Sequence, residues 1–308
     1  MSDNTVVENL IIIGSGPAGY AAAVYAVRDE LNPILFRGFQ PGGQLMLTSA
    51  VENYPGFVSI QGPELMENMR KHVESLKCRI LDEDVSAVDL NSYPYKITAG
   101  GTEYETRSII IASGASAKWL GLENEKRLIG KGVSGCAVCD GFFFKGKEVV
   151  VVGGGDSAME DASYLANMVK SVTIIHRKSE FRASKTMQDR VLSDPKIKII
   201  WDTVVEDVLG ESRISGLKIR DLKTNKIKEL KTEGLFIAIG HSPNTKLFEG
   251  KLDLDELGYI KTHDFTKTSK SGVFAAGDVQ DRHYKQAVIA AGWGAMAAID
   301  ARDFLSKR

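Results

Sequence analysis

Twice in this chain a short, wholly apolar run stops at a glycine-rich turn that opens a helix-like stretch. Leu10-Ile11-Ile12-Ile13 runs into Gly14-Ser15-Gly16-Pro17-Ala18-Gly19 and then an alanine-rich stretch to Arg28. Val149-Val150-Val151-Val152 runs into Gly153-Gly154-Gly155-Asp156-Ser157-Ala158 and a helix-like stretch to Lys170. Each is followed by another apolar run, Pro33 to Phe36 and Ser171 to Ile175. The order predicts two βαβ units with crossovers, hence an α/β fold with two Rossmann-like domains. Apolar runs without alternation suit parallel strands buried on both faces.

One G-x-G-x-x-G is weak evidence, because loops carry glycine for many reasons; two in strand–turn–helix context are strong. The first glycine of each permits a tight turn, and the second lets backbone approach a pyrophosphate. The third position, Gly19 or Ala158, lets helix and strand pack closely. The helix N-terminus then offers unbonded N–H groups to the anion. The bland alternative is a glycine turn with no ligand. An acidic residue at the end of the second strand would bind a ribose hydroxyl and repel a 2′-phosphate. The second unit instead ends Ile175-His176-Arg177-Lys178, with Arg182 shortly after, which favours NADPH over NADH. The alternative there is a solvated basic turn, tempered by Glu180. The first unit ends Leu35-Phe36-Arg37-Gly38 and also lacks the acid, so spacing alone does not name its dinucleotide.

With 308 residues the chain has room for about two domains. Hydrophobic residues at 43% and charged residues at 26% exclude a disordered chain or a disulfide-rich miniprotein. A formal charge of −1 gives no global reason to bind nucleic acid or an anionic membrane. No stretch approaches the ~18 apolar residues of a membrane helix. The polar, acidic N-terminus does not read as a signal peptide. A cytoplasmic protein is expected.

The three cysteines, Cys78, Cys136 and Cys139, do not form a secreted disulfide framework. Structural zinc needs four ligands, and the five histidines are scattered without ligand spacing, so no metal is expected. Two thiols three residues apart suit thiol–disulfide exchange, which needs one to attack and one to resolve. Asp140 follows immediately. A carboxyl beside a thiolate should be pushed towards its neutral form and could relay protons; the alternative is a turn or cap aspartate before Gly141. Cys78 reads as a half-buried strand residue.

Further motifs occur in order: Gly42-Gly43-Gln44-Leu45, Glu52-Asn53-Tyr54-Pro55-Gly56, Ala112-Ser113-Gly114-Ala115, Cys136-Ala137-Val138-Cys139-Asp140-Gly141, Gly240-His241-Ser242-Pro243 and Ala276-Gly277-Asp278-Val279. With the two glycine turns, this set resembles the low-molecular-weight thioredoxin reductases over essentially the whole chain. The resemblance implies an FAD-binding domain, 1–116 and 244–308, into which an NADPH-binding domain, 117–243, is inserted. It implies FAD at Gly14, Ser15, Gly16, Pro17, Ala18, Gly43, Gln44, Asn53, Gly114, Gly277, Asp278, Gln286 and Ala287. It implies NADPH at Gly154, Gly155, Asp156, Ser157, His176, Arg177, Lys178 and Arg182. Cys136, Cys139 and Asp140 would be catalytic, with Cys139 facing the flavin and Cys136 attacking the disulfide of thioredoxin. A homodimer is also implied.

Three positions depart from the usual pattern. Lys178 and Lys285 stand where arginines are common. Trp293 stands where a small residue is common, either beside the flavin or packed in the fold. The tail, ending Leu305-Ser306-Lys307-Arg308, carries no second cysteine pair, unlike the larger glutathione-reductase-like enzymes. An N-terminal thioredoxin-like extension, as in the alkyl hydroperoxide reductase flavoprotein, is not expected. Dithiol and nicotinamide turn share the inserted domain, and both must reach one flavin. That domain is therefore predicted to rotate, with hinges near Ser116–Trp119 and Gly240–Asn244. The rival readings are another reductant (ferredoxin or NADH), another disulfide protein as partner, or a flavin-dependent redox sensor.

Overall fold

The computed structural model describes residues 6–38, 41–48 and 50–307. These fall into two compact units: one within Met1–Ser116 and Ser242–Arg308, the other Ala117–His241.

The discontinuous unit begins with β1 (Val7–Ile13), α1 (Pro17–Arg28) and β2 (Ile34–Phe36). It continues through β3 (Ala50–Val51), β4 (Ile60–Gln61), α2 (Gly62–Ser75), β5 (Arg79–Leu81), β6 (Val85–Asp89), β7 (Tyr95–Ala99) and β8 (Thr102–Ile111). The chain leaves this unit through β9 (Ala115–Ala117). The inserted unit contains α3 (Glu123–Leu128), β10 (Val133–Ser134), α4 (Ala137–Asp140), β11 (Glu148–Val152), α5 (Asp156–Ala166), β12 (Ser171–Ile175), α6 (Lys185–Ser193) and β13 (Ile197–Ile200). It then adds β14 (Thr203–Leu209), β15 (Gly216–Asp221), β16 (Ile227–Lys231) and β17 (Gly234–Ile237). The chain returns through β18 (His241–Pro243) and finishes the first unit with β19 (Val273–Ala275) and α7 (Ala287–Leu305).

Both units are built on parallel strands, as the apolar runs predict. In the first, the order is β5-β2-β1-β8, with β19 parallel to β8 and with β7 and β6 antiparallel beyond it. Side chains alternate across a strand. Leu10 and Ile12 therefore join the alanine-rich helices, with Ala22, Ala26, Ala297 and Ala301. Ile11 and Ile13 join the opposite face, with Ile97, Ile109 and Phe248. The helices meet closely because α1 and α7 present small residues. A Cβ on Gly294 would come within 2.0 Å of the Ala18 carbonyl oxygen.

The inserted unit repeats the scheme with the parallel order β10-β17-β11-β12-β13. Val149 and Val151 face α5, against Ala158, Met159 and Ala162. Val150 and Val152 face the antiparallel sheet β14-β15-β16, against Leu217 and Ile219. In each unit one strand thus feeds two cores, which is why these runs show no polar alternation.

Candidate active site

The first glycine turn lies between β1 and α1. Gly14 has φ +111°, and a Cβ there would come 2.3 Å from the Ala112 carbonyl oxygen. A Cβ on Gly19 would sit 1.8 Å from the Gly14 oxygen, so the third glycine sets how closely the helix packs. Gly16 has open space where a Cβ would point. It is the N-cap of α1, no side chain caps it, and Pro17 occupies the first turn. The helix therefore presents unbonded amides beside an open surface, the arrangement an anionic group uses.

Ser15 ties the turn to its surroundings. Its hydroxyl donates to the Arg37 carbonyl at 2.9 Å and accepts from the Gly42 amide at 3.2 Å. A Cβ on Gly43 would be 3.5 Å from the Gly16 Cα, so the Gly42-Gly43-Gln44 loop folds over the turn. Asn53 Nδ2 donates to Gln286 Oε1 at 3.1 Å, and Gln286 is the N-cap of α7, just before Ala287. Gly277, at φ +76°, brings the Asp278 turn against Ala18 and Ala290; its Cβ would be 2.9 Å from that of Ala18. Gly114, also left-handed, accepts the Asn244 amide at 3.0 Å. Gly42, Gly43 and Gly277 thus lie against the Ser15–Ala18 turn, while Asn53 with Gln286 and Gly114 with Asn244 form contacts of their own.

Burial pushes the Asp278 carboxyl up to about 6; neighbouring Asp281 adds to the shift and Lys285 opposes it. The Lys285 ammonium lies over the Tyr259 ring, 5.7 Å from its centre. Trp293 packs on the helix-side core, with its ring 6.5 Å from that of Phe265. Its buried indole N–H has no partner among the described residues.

The second glycine turn follows the same rules. A Cβ on Gly153 would meet the Ala238 oxygen at 2.4 Å and the Ala158 Cβ at 2.7 Å. Gly155 has open space and is an N-cap without a side-chain bond. His176 is 6% exposed and fills the space beside Gly154, where a Cβ would strike its ring at 2.1 Å. Its Nε2 lies 3.0 Å from the Glu180 oxygen, and burial lowers its pKa. The neutral ring is therefore a wall of the turn, while the positive charge is carried by exposed Arg177, Lys178 and Arg182. None of the three makes an ion pair among the described residues. The Arg182 amide donates to Gly154 O at 2.7 Å, holding the basic loop against the turn. Asp156 accepts from both the amide and the hydroxyl of Ser184 at 2.9 Å, which holds its pKa down. Its neighbour Ser157 is exposed in the first turn of α5.

Cys136 and Cys139 form a disulfide, with Cα atoms 5.3 Å apart. Cys136 caps α4, and the Cys139 amide points at its sulfur from 3.2 Å. An N–H aimed at sulfur favours a thiolate there once the bond opens. Gly141 packs on α5, where a Cβ would meet Leu165 at 3.0 Å. The dithiol segment is thus fastened to the helix that the second glycine turn opens. Val138 and Phe142 beside it are exposed. Asp140 is pushed towards its neutral form, and the cause differs from the sequence argument: burial raises it, while Ser134 opposes, and the sulfurs are paired. Burial pushes the half-buried Cys78 thiol up to about 11, and it lies just before β5. No group of His, Cys, Asp and Glu among the described residues is arranged to hold a metal.

Sequence reasoning missed three supports. Fully buried Glu125 accepts the amides of Leu120, Gly121 and Leu122 at 2.8, 2.8 and 3.2 Å. Ser134 Oγ accepts the Cys136 amide at 3.0 Å. Arg37 pairs with Asp82. The glutamate had a signal, since it follows the turn at Gly121 by four residues; the other two had none.

Residues 8–294 match the pyridine nucleotide-disulphide oxidoreductase family. A thioredoxin reductase of Rickettsia prowazekii is 51% identical over 98% of this chain and 99% of its own. One from Streptomyces coelicolor is 51% identical over 99% and 95%. The crystal structure of thioredoxin reductase from Streptococcus pyogenes is 37% identical, covers 99% of this chain and 100% of its own, and has a TM-score of 0.95. No helix among the described residues is long and apolar enough to cross a membrane.

Proposed function

The chain belongs to the pyridine nucleotide-disulphide oxidoreductases, and on that premise we propose that it is a thioredoxin-disulfide reductase, moving electrons from NADPH through FAD and the Cys136–Cys139 pair to thioredoxin. Membership implies flavin and nicotinamide cofactors. The observation that carries the reading is the Cys136–Cys139 disulfide, half-exposed and joined through α5 to a dinucleotide-type turn.

FAD fits the first turn: Gly16 leaves room for a pyrophosphate, and α1 offers uncapped amides. Gly14, Ser15, Pro17 and Ala18 form that turn, and Gly43 and Gln44 cover it. Asn53, Gly114, Gly277, Asp278, Gln286 and Ala287 would complete the site. NADPH fits the second turn, with Gly154, Gly155, Asp156 and Ser157 at the pyrophosphate and His176 walling the turn. Arg177, Lys178 and Arg182 would meet the 2′-phosphate.

When bound, the flavin supplies a two-electron relay between nicotinamide and disulfide. Two electrons and two protons open Cys136–Cys139 to the dithiol. Asp140, whose carboxyl burial pushes towards its neutral form, would relay a proton beside it. The Cys136 thiolate then attacks the substrate disulfide, forming a mixed disulfide and releasing one substrate thiolate. Cys139 attacks the Cys136 sulfur, which releases the second thiolate and restores the original disulfide.

The flavin turn belongs to one unit and the dithiol to the other, and the chain passes between them only at 116–117 and 241–242. Rotation of the inserted unit about Ser116–Trp119 and Gly240–Asn244 would let dithiol and nicotinamide take turns at the flavin. A homodimer working in the reducing cytoplasm completes the proposal. The test is the spectrum of the purified protein. The expected result is a yellow chromophore bleached by NADPH far more readily than by NADH, and restored by thioredoxin disulfide. A colourless protein, or a flavin that NADPH leaves oxidised, overturns it.

A further inference from the structure

The first dinucleotide turn has an unsolved recognition problem. The ribose of a dinucleotide lies at the end of the second strand, where a carboxylate normally accepts its hydroxyls. Here that position is Arg37, which has five N–H donors and no acceptor. A guanidinium cannot replace the acid as acceptor.

The neighbouring strand resolves this. β2 and β5 run parallel in register, with Phe36 opposite Leu81, and the Arg37 amide donates to Leu81 O at 3.0 Å. The next residues, Arg37 and Asp82, therefore emerge side by side at the carboxyl ends of their strands. That edge of an open α/β sheet is where ligands bind. Adjacent strands lie about 4.8 Å apart, within reach of an arginine side chain. Arg37 Nε donates to Asp82 Oδ1, and the Tyr20 hydroxyl on α1 also meets the guanidinium. The Asp82 side chain is 68% exposed against 21% for Arg37, and its Oδ2 has no hydrogen bond among the described residues. Arg37 is thus anchored in the fold, and the carboxylate faces outwards. The backbone of Arg37 is held as well, since its carbonyl accepts the Ser15 hydroxyl of the glycine turn. One other carboxylate approaches: Asp84 lies against Gly38, where a Cβ would be 2.6 Å from its Oδ1.

We infer that the acid absent from the end of β2 is supplied by Asp82 at the end of β5, held there by Arg37, and that this carboxylate receives the adenosine ribose hydroxyls of the dinucleotide at the first glycine turn. The inference rests on the FAD reading above. Arg37 is a positioning residue, and Asp82 determines recognition.

The test measures how tightly the holoprotein keeps FAD, from free flavin fluorescence on dilution. It also uses an FAD analogue lacking the adenosine 2′-hydroxyl. Asp82→Ala should weaken FAD about tenfold, as loss of a charged hydrogen bond does. Arg37→Ala should weaken it comparably and add little in the Asp82→Ala background. Arg37→Glu combined with Asp82→Ala, which returns the acid to β2, should restore retention. The wild type should lose affinity for the analogue, and Asp82→Ala should lose none further. Wild-type retention in Asp82→Ala, additive losses in the double alanine variant, or a loss confined to Asp84→Ala overturns the inference and leaves the flavoprotein reading intact. A wild-type protein that carries no flavin overturns both.

Discussion

The Asn53 side-chain amide donates to Gln286 Oε1 at 3.1 Å, across 233 residues of chain. Asn53 stands on the loop after β3, and Gln286 caps α7, the helix whose Gly294 packs on Ala18. One hydrogen bond therefore joins the loop after β3 to the last helix of that unit. Asn53→Ala and Gln286→Ala should each release flavin faster. The double variant should show a coupling of about 1 kcal/mol, measured from the four dissociation constants.

Cys136 and Cys139 have separable roles. Cys136→Ser should leave flavin reduction by NADPH intact and abolish thioredoxin reduction, as read by stopped-flow absorbance and steady-state turnover. Cys139→Ser removes the resolving thiol, so Cys136 should accumulate as a mixed disulfide with thioredoxin, visible on a non-reducing gel. The reverse pattern would exchange the assignments.

Arg177 and Arg182 stand exposed beside the second turn, without ion pairs among the described residues. Alanine at either should raise KM for NADPH about tenfold, the scale of one charged hydrogen bond, with kcat nearly unchanged. KM for NADH should barely move. Equal effects on both nucleotides would mean that the loop does not meet the 2′-phosphate.

Asp278 makes stability depend on pH. Its carboxyl is pushed up to about 6 by burial, whereas an unfolded aspartate titrates near 3.9. Between those values the folded state binds more protons, so this group lowers stability as pH rises from about 4 to about 6. The cost levels off at about 3 kcal/mol. Asp278→Asn should remove it. In urea unfolding of the flavin-free protein, the variant should gain on the wild type from pH 4 to pH 7. A constant difference across that range would count against the buried charge.

Much of the fold could be read from residue order because its causes are local. An apolar run such as Val149–Val152, followed at once by glycines and a helical stretch, has few alternatives to a parallel strand entering a turn. Gly14 and Gly19 are required by contacts with backbone a few residues away or on the adjoining strand. The dithiol is three residues of spacing. The burial of His176 was less visible, because a histidine beside two cations reads as a third basic group. Only the packed ring against Phe181 and Trp201 shows that it is held neutral. Likewise, Asp140 owes its shift to burial that its sequence neighbours do not reveal.

By itself, then, the sequence determined the two glycine turns, the redox pair and the basic loop, since each depends on residue type and short spacing. Tertiary structure decided which distant side chains complete them. Asn53 meets Gln286 only because α7 returns to the first turn, and Glu125 serves its three amides only once α3 is buried. Arg37 finds Asp82 only because β5 lies next to β2. Such partnerships depend on which strands and helices become neighbours, and the packing of the whole unit sets that choice.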